Sequence, residues 1–206
     1  MRPVNRDSLP HLVRVAWELS RSWACTLRTR VRAAWWGIEL GSGCEFHGAP
    51  ILRRLPGTRL TVGARGRFRS ATWSNLAGIN RPCVLATVGE GAVLRIGDDC
   101  GFSGTVVGAA LSVTIGNRVM AGVNTMISDT DWHPVDPASR AAGGPGKAAP
   151  VVIGDDVWLG ANVLVLQGAR IGAGSSIAAS SVVTGEIPPG VLAAGSPARV
   201  VRVLGG

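Results

Sequence analysis

Of the three histidines in this chain, His11 and His47 lie in an irregular N-terminal part, while His133 stands at the root of a stretch, residues 134–150, rich in Pro, Gly and Ala. An imidazole titrates near neutrality, so it can take the proton of a hydroxyl as the oxygen attacks a carbonyl. Asp129 and Asp131 flank this histidine and could orient its ring or hold an acceptor hydroxyl, although carboxylates in such a position also serve as turn residues. The four cysteines, Cys25, Cys44, Cys83 and Cys100, form no CxxC pair. Cys100 occupies a small-residue position of a repeat, so it reads as a buried structural thiol rather than a nucleophile that carries an acyl group. A three-histidine zinc site would have only His133 to draw on in the repeat region, and no metal is expected.

The elements that must position His133 are repeats. Ile153, Leu159, Val165, Ile171, Ile177 and Val183 are aliphatic at an unbroken spacing of six. With aliphatic residues at about a quarter of positions, chance would give this roughly once in 4,000 registers. Gly154, Gly160 and Gly172 directly follow the aliphatic residue, and Val157, Val163, Ala169, Ser175 and Ser181 come four after it. Neither a helical period of 3.6 nor strand alternation gives a strict six. A parallel solenoid with three short flat faces per coil does, each inward aliphatic side chain stacking about 4.8 Å from its equivalent one coil later. The register continues backwards through Ile115, Ala121 and Ile127, then Ile96 and Phe102, then a worn coil at Val62 and Phe68, with an insertion expected around residues 80–91. The stretch 134–150 cannot be a coil face, and a long loop leaving a rigid scaffold is usually functional.

Composition agrees. The 206 residues include 29 Gly and 12 Pro, with 46% hydrophobic, 17% charged and 5% aromatic, which excludes a wholly disordered chain and fits a helix bundle poorly. The formal charge of +8 is localised: residues 1–70 carry 13 Arg against 4 acids, and the remainder is near neutral. No nucleic-acid motif accompanies the Arg, so nucleic acid is not an expected partner. No apolar window long enough to span a bilayer and no signal peptide is evident, so a cytoplasmic protein is expected, with contact at the inner membrane surface left open.

The run "VWLGANVLVLQGARIGAGSSIAASSVVTGEIPPGVLAAGSPARVVR" from Val157 to Arg202, together with "MISDTDWHPVDPASR", resembles the hexapeptide-repeat acyltransferases, in particular sugar O-acetyltransferases of the galactoside, maltose and nodulation type and exopolysaccharide O-acetyltransferases of the colanic-acid type. The resemblance implies an all-β fold, a left-handed parallel β-helix over residues 38–206. It also implies a homotrimer, acetyl-CoA as donor, active sites between subunits, and His133 as general base in direct transfer to a sugar or glycan hydroxyl. An antibiotic, amino-sugar or other secondary-metabolite acceptor, or a non-catalytic scaffold, is the alternative. The resemblance puts Trp158 beside the CoA tunnel, Ala161 and Ala179 along the pantetheine arm, Thr184 at a donor contact, and Arg199 and Arg202 at the nucleotide phosphates. Gly185 replaces a lysine common in the family, and Phe102 and Ser103 stand where the family places an acceptor-binding asparagine. Ser103 could donate a comparable hydrogen bond.

Residues 1–37 form a separate segment. Leu12, Val13, Ala16, Trp17, Leu19, Trp23, Leu27, Val31 and Trp35 recur at roughly helical spacing, with Arg14, Arg21, Arg28 and Arg32 filling much of the rest. This predicts a basic amphipathic helix, either a cap across the first coil that hides its open edge or an element lying on an anionic membrane surface.

Overall fold

The computed structural model describes residues 8–205. The expected solenoid is present: three parallel sheets wind along one axis, and consecutive strands of the chain visit the three sheets in turn. The first face contains Glu39–Leu40, Arg59–Val62, Val93–Ile96, Ser112–Ile115, Val151–Ile153, Arg170–Ile171 and Glu186–Ile187; the second begins with Glu45–His47 and the third with Ile51–Arg53. Equivalent residues stack in register, as Ile96 on Ile115 and Ile115 on Ile153. The inward column of the second face opens with three rings, Phe46 and Phe68 stacked at 5.0 Å and Phe68 and Phe102 edge-on at 5.5 Å. Side chains four after the aliphatic positions, including Val157, Val163, Ala169 and Ser175, are buried at the corners.

Where a glycine follows the aliphatic residue, as at Gly154, Gly160 and Gly172, the next coil requires it. A Cβ on Gly154 would lie 2.7 Å from the Ala173 nitrogen, closer than atoms approach. At the same corner, between first and second faces, the coils are also tied by side chains. Asp155 Oδ1 accepts the Asn117 N–H, Asn117 Oδ1 accepts the Asp98 N–H, and Asp98 Oδ1 accepts the Ala64 N–H, at 2.8, 2.9 and 2.8 Å. The adjoining left-handed positions are Arg65, Asp99, Arg118 and Asp156, which alternate in charge up the stack. Arg65 pairs with Asp99 at 2.6 Å and Arg118 with Asp156 at 2.7 Å.

Two expectations change. The insertion lies at residues 70–83, between the strands Arg67–Arg69 and Val84–Thr87, and not at 80–91; Val84–Thr87 is an ordinary third-face strand paired with Val106–Ala109. A further coil, residues 39–53, precedes the worn one, its inward Leu52 and Phe46 stacking on Leu85 and Phe68. The chain breaks the spacing of six between Leu52 and Val62, which hides that coil from a search at six.

The N-terminal helix, α1, is Leu9–Trp35, with Pro10 in its first turn where a missing N–H costs nothing. It ends at Gly37, in the left-handed conformation, with Gly37 N–H donating to Ala34 O and Ile38 N–H to Ala33 O, a Schellman closure that seats Ile38 and Ala33 together in the core. The part of the predicted segment at residues 1–7 lies outside the described residues. α1 caps the first coil: Thr26 Oγ1 accepts the Phe46 N–H at 2.9 Å, and Ser22 Oγ and His47 Nδ1 are 2.7 Å apart. The face it buries carries Ser22, Thr29 and Ala33, while Leu9, Val13, Trp23, Leu27, Val31 and Trp35 stay exposed. Among the described residues no helix is long and apolar enough to cross a membrane.

Candidate active site

After the third-face strand Met126–Ser128 the chain leaves the coil at Asp129 and rejoins it at Val151. The neck of the loop is laced by backbone: Asp131 N–H donates to Lys147 O and Ala149 N–H to Asp129 O, both at 2.9 Å, and Thr130 bridges Ala148. Inside the loop is a short helix, α2, Pro137–Ala141, whose start is capped by Asp136 accepting the Ser139 N–H at 2.8 Å. Asp-Pro-x-Ser is a helix-start signal, and the richness of the loop in Gly and Ala masked it. The loop forms one side of an open depression of about 640 Å³ whose lining includes Asp131, Pro134, Ser139 and Lys147.

His133 is exposed at the root of this loop and is positioned through its backbone, its N–H donating to Asp131 O at 2.7 Å. Trp132 before it takes a left-handed conformation and lays its ring against Gly108, where a Cβ would lie 3.2 Å from the ring. Asp131 is exposed, and its Oδ2 accepts from Gln167 Nε2 at 2.6 Å, which ties the loop to the next coil. Gln167 was not foreseen; its place two residues beyond the inward Val165 carried no motif. Asp129, expected beside the acceptor, is fully buried, and its two oxygens accept three backbone N–H groups, from Ala110, Leu111 and Ser112 at 2.6–2.7 Å. Its carboxylate closes the corner between third and first faces.

The other predicted residues divide between two corners. Thr184 is exposed just after the third-face strand Val182–Val183, on the His133 side. Ser103 ends the second-face strand Gly101–Ser103, so a whole third-face strand separates its corner from that of His133, on the order of 15 Å at about 3.3 Å per residue. The chain alone does not bring Ser103 and His133 together. Ser103 is buried, and Asn75, from the inserted segment, donates to its Oγ at 3.1 Å. Asn75 was also missed, since it is distant in sequence from the repeat it meets. Trp158 is 54% exposed on the second face between Met120 and Ser176. Ala161 and Ala179 follow it along the Ser103 corner, where Ser180 N–H donates to Ala161 O at 2.8 Å. Arg199 and Arg202 are exposed on Ala198–Val203, the strand that turns back antiparallel to Val191–Gly195.

Cys100 is buried and its Sγ donates to Gly116 O at 3.2 Å. Burial pushes its pKa up to about 11, so the thiol stays protonated at neutral pH and is no nucleophile. Among the described residues no three His, Cys, Asp or Glu side chains converge as a metal site.

Residues 150–185 match the bacterial transferase hexapeptide (six repeats) family. With its three-faced parallel sheets, the chain has the fold of a left-handed β-helix. It is 38% identical over 133 residues to a galactoside O-acetyltransferase of Escherichia coli, covering 58% of this chain and 64% of the relative. To a galactoside O-acetyltransferase of Lactococcus lactis it is 48% identical over 90 residues, 44% of this chain and 42% of that protein. The chain thus spans less than two thirds of the length of these relatives. Among solved structures, a hexapeptide-repeat-containing acetyltransferase from Vibrio cholerae superposes with a TM-score of 0.57 at 26% identity, over 97% of this chain and 90% of that one.

Proposed function

We propose that this protein is an O-acetyltransferase that moves an acetyl group from acetyl-CoA to a hydroxyl of a sugar or glycan. The observation that carries the reading is His133, exposed at the neck of a loop on a scaffold whose sequence relatives are galactoside O-acetyltransferases. In the reaction, His133 takes the proton of the acceptor hydroxyl as its oxygen attacks the thioester carbonyl. The tetrahedral intermediate collapses with cleavage of the carbon–sulfur bond, and His133 returns the proton to the departing thiolate. Trp158, Ala161, Ala179 and Thr184 are the residues we assign to the pantetheine arm, and Arg199 and Arg202 to the phosphates, where guanidinium forks suit the oxygens. Ser103 and Asp131 are assigned to the acceptor.

The active site is read as shared between copies in a homotrimer. In support, the outward residues of the third face form an aliphatic column, Ile51, Val84, Val106, Met126, Leu164 and Val182, mostly half-buried. The outward residues of the first face run Thr61, Arg95, Thr114, Val152, Arg170 and Glu186. Packing the apolar face against a neighbour would bring the corner of Ser103 in one copy toward that of His133 in the next. The test is release of CoA from acetyl-CoA with sugar, amino-sugar and aminoglycoside acceptors in parallel. Turnover with sugars alone supports the reading; turnover confined to amines overturns the acceptor class, and none with any acceptor overturns the activity.

A further inference from the structure

Apart from Trp17, whose ring meets Trp73 edge-on at 5.4 Å, the outer side of α1 packs against no other described element of the fold. At 100° per residue, Leu9, Val13, Ala16, Trp17, Ser20, Trp23, Ala24, Leu27, Val31, Ala34 and Trp35 fall within an arc of about 120° that contains no charged residue. The arc lies opposite Ser22, Thr29 and Ala33, which are buried against the first coil. Trp23 is 71% exposed and Trp35 88%. An apolar stripe this long, about 40 Å at 1.5 Å per residue, is beyond what scattered surface residues produce and marks an interaction surface.

Charge selects the occupant. Arg14, Arg21 and Arg28 recur every seventh residue along one border of the stripe, joined by Arg32. Glu18 is the one acid of the helix and is paired with Arg14 at 2.7 Å, and Arg21 lies 4.6 Å over the ring of Trp17. A second copy would offer the same basic border, whereas anionic lipid offers apolar chains beside phosphates. The Arg content rules out burial across a bilayer, but a helix with Trp and Leu on one side and Arg at the edge suits the plane of the interface, with the guanidinium groups reaching up to the head groups. We propose that α1 is a peripheral anchor that lays its outer face into an anionic membrane surface, holding the solenoid end-on above it. Because its inner face is already committed to Phe46 and His47, the helix needs no detachment to bind.

The test is flotation of the full chain with vesicles of phosphatidylcholine alone or with about 30% phosphatidylglycerol, at low and high salt. Binding confined to anionic vesicles and weakened by salt is expected. W23E/L27E should abolish it, and R28Q should weaken it about fivefold, near the contribution of one Arg at a charged surface. Both changes lie on the outer side, so circular dichroism melting should stay cooperative. Failure of the wild-type chain to float with anionic vesicles overturns the proposal. So does loss of a self-associated species in W23E/L27E with vesicle binding unchanged, which would give the stripe to a second copy.

Discussion

Gly146 presses directly against the backbone of His133: a Cβ there would lie 2.7 Å from the His133 nitrogen and 2.8 Å from that of Trp132. The returning arm of the loop therefore sets the height of the proposed base above the coil. Gly146→Val must push the two apart, and displacement of a catalytic group by about 1 Å commonly costs a hundredfold. A loss of tenfold or more in kcat with an unchanged melting temperature is expected; full activity would show that the loop does not position His133.

His133→Ala is expected to lower acetyl transfer by about 10²–10⁴, the usual contribution of a general base. The side chain is exposed and at a loop root, so the melting temperature should hold. Turnover within a factor of three of wild type would remove His133 from the mechanism.

Asp129 calls for the opposite experiment, one read by denaturation. Asp129→Ala leaves three buried N–H groups, those of Ala110, Leu111 and Ser112, without their acceptor. A destabilisation of about 3 kcal/mol or more in urea is expected from such unpaired donors. Loss of activity with stability intact would instead return Asp129 to the acceptor site.

Cys100, with its pKa raised to about 11 by burial, should resist iodoacetamide at pH 7.5 in the folded chain, and Cys100→Ala should retain transfer activity. An acetyl group trapped on Cys100 in a quenched reaction would contradict the direct mechanism.

His47, beneath α1, has its pKa lowered by burial first and then by Arg69, with Glu45 opposing. The folded chain therefore favours the neutral ring, while the unfolded chain takes up a proton near pH 6.5. Stability is complete above that pH and declines as pH falls from about 6.5 toward the lower folded value. The gap in melting temperature between wild type and His47→Gln should narrow from pH 7.5 to pH 5; a constant gap would mean another group titrates.

The coils from Ile96 onward could be read from sequence because their inward positions repeat at six with glycine where the next coil comes close. Before them only Val62 and Phe68 were legible, as a worn coil; the coil at 39–53 was not, although Leu40, Phe46 and Leu52 keep the spacing of six, because the chain breaks that spacing between Leu52 and Val62. Of the proposed site, His133 was legible as a lone imidazole beside a loop rich in Gly and Pro. The roles of Asn75, Gln167 and Asp129 were not, because each depends on which coil lies next to which. The cap was half legible: the apolar period of α1 is real, but docking uses Ser22, Thr26 and Ala33, small residues whose fit no hydrophobic pattern announces.

The alternating row of Arg65, Asp99, Arg118 and Asp156 makes the solenoid count in pairs. Excising the single coil that carries Asp99 would set Arg65 over Arg118, and excising the one that carries Arg118 would set Asp99 over Asp156. Removing both restores opposite charges at every rung. Each exposed pair is worth little on its own, so the row acts as a parity rule on length rather than as a source of strength. Shortened or lengthened versions of this chain should tolerate changes of two coils better than changes of one.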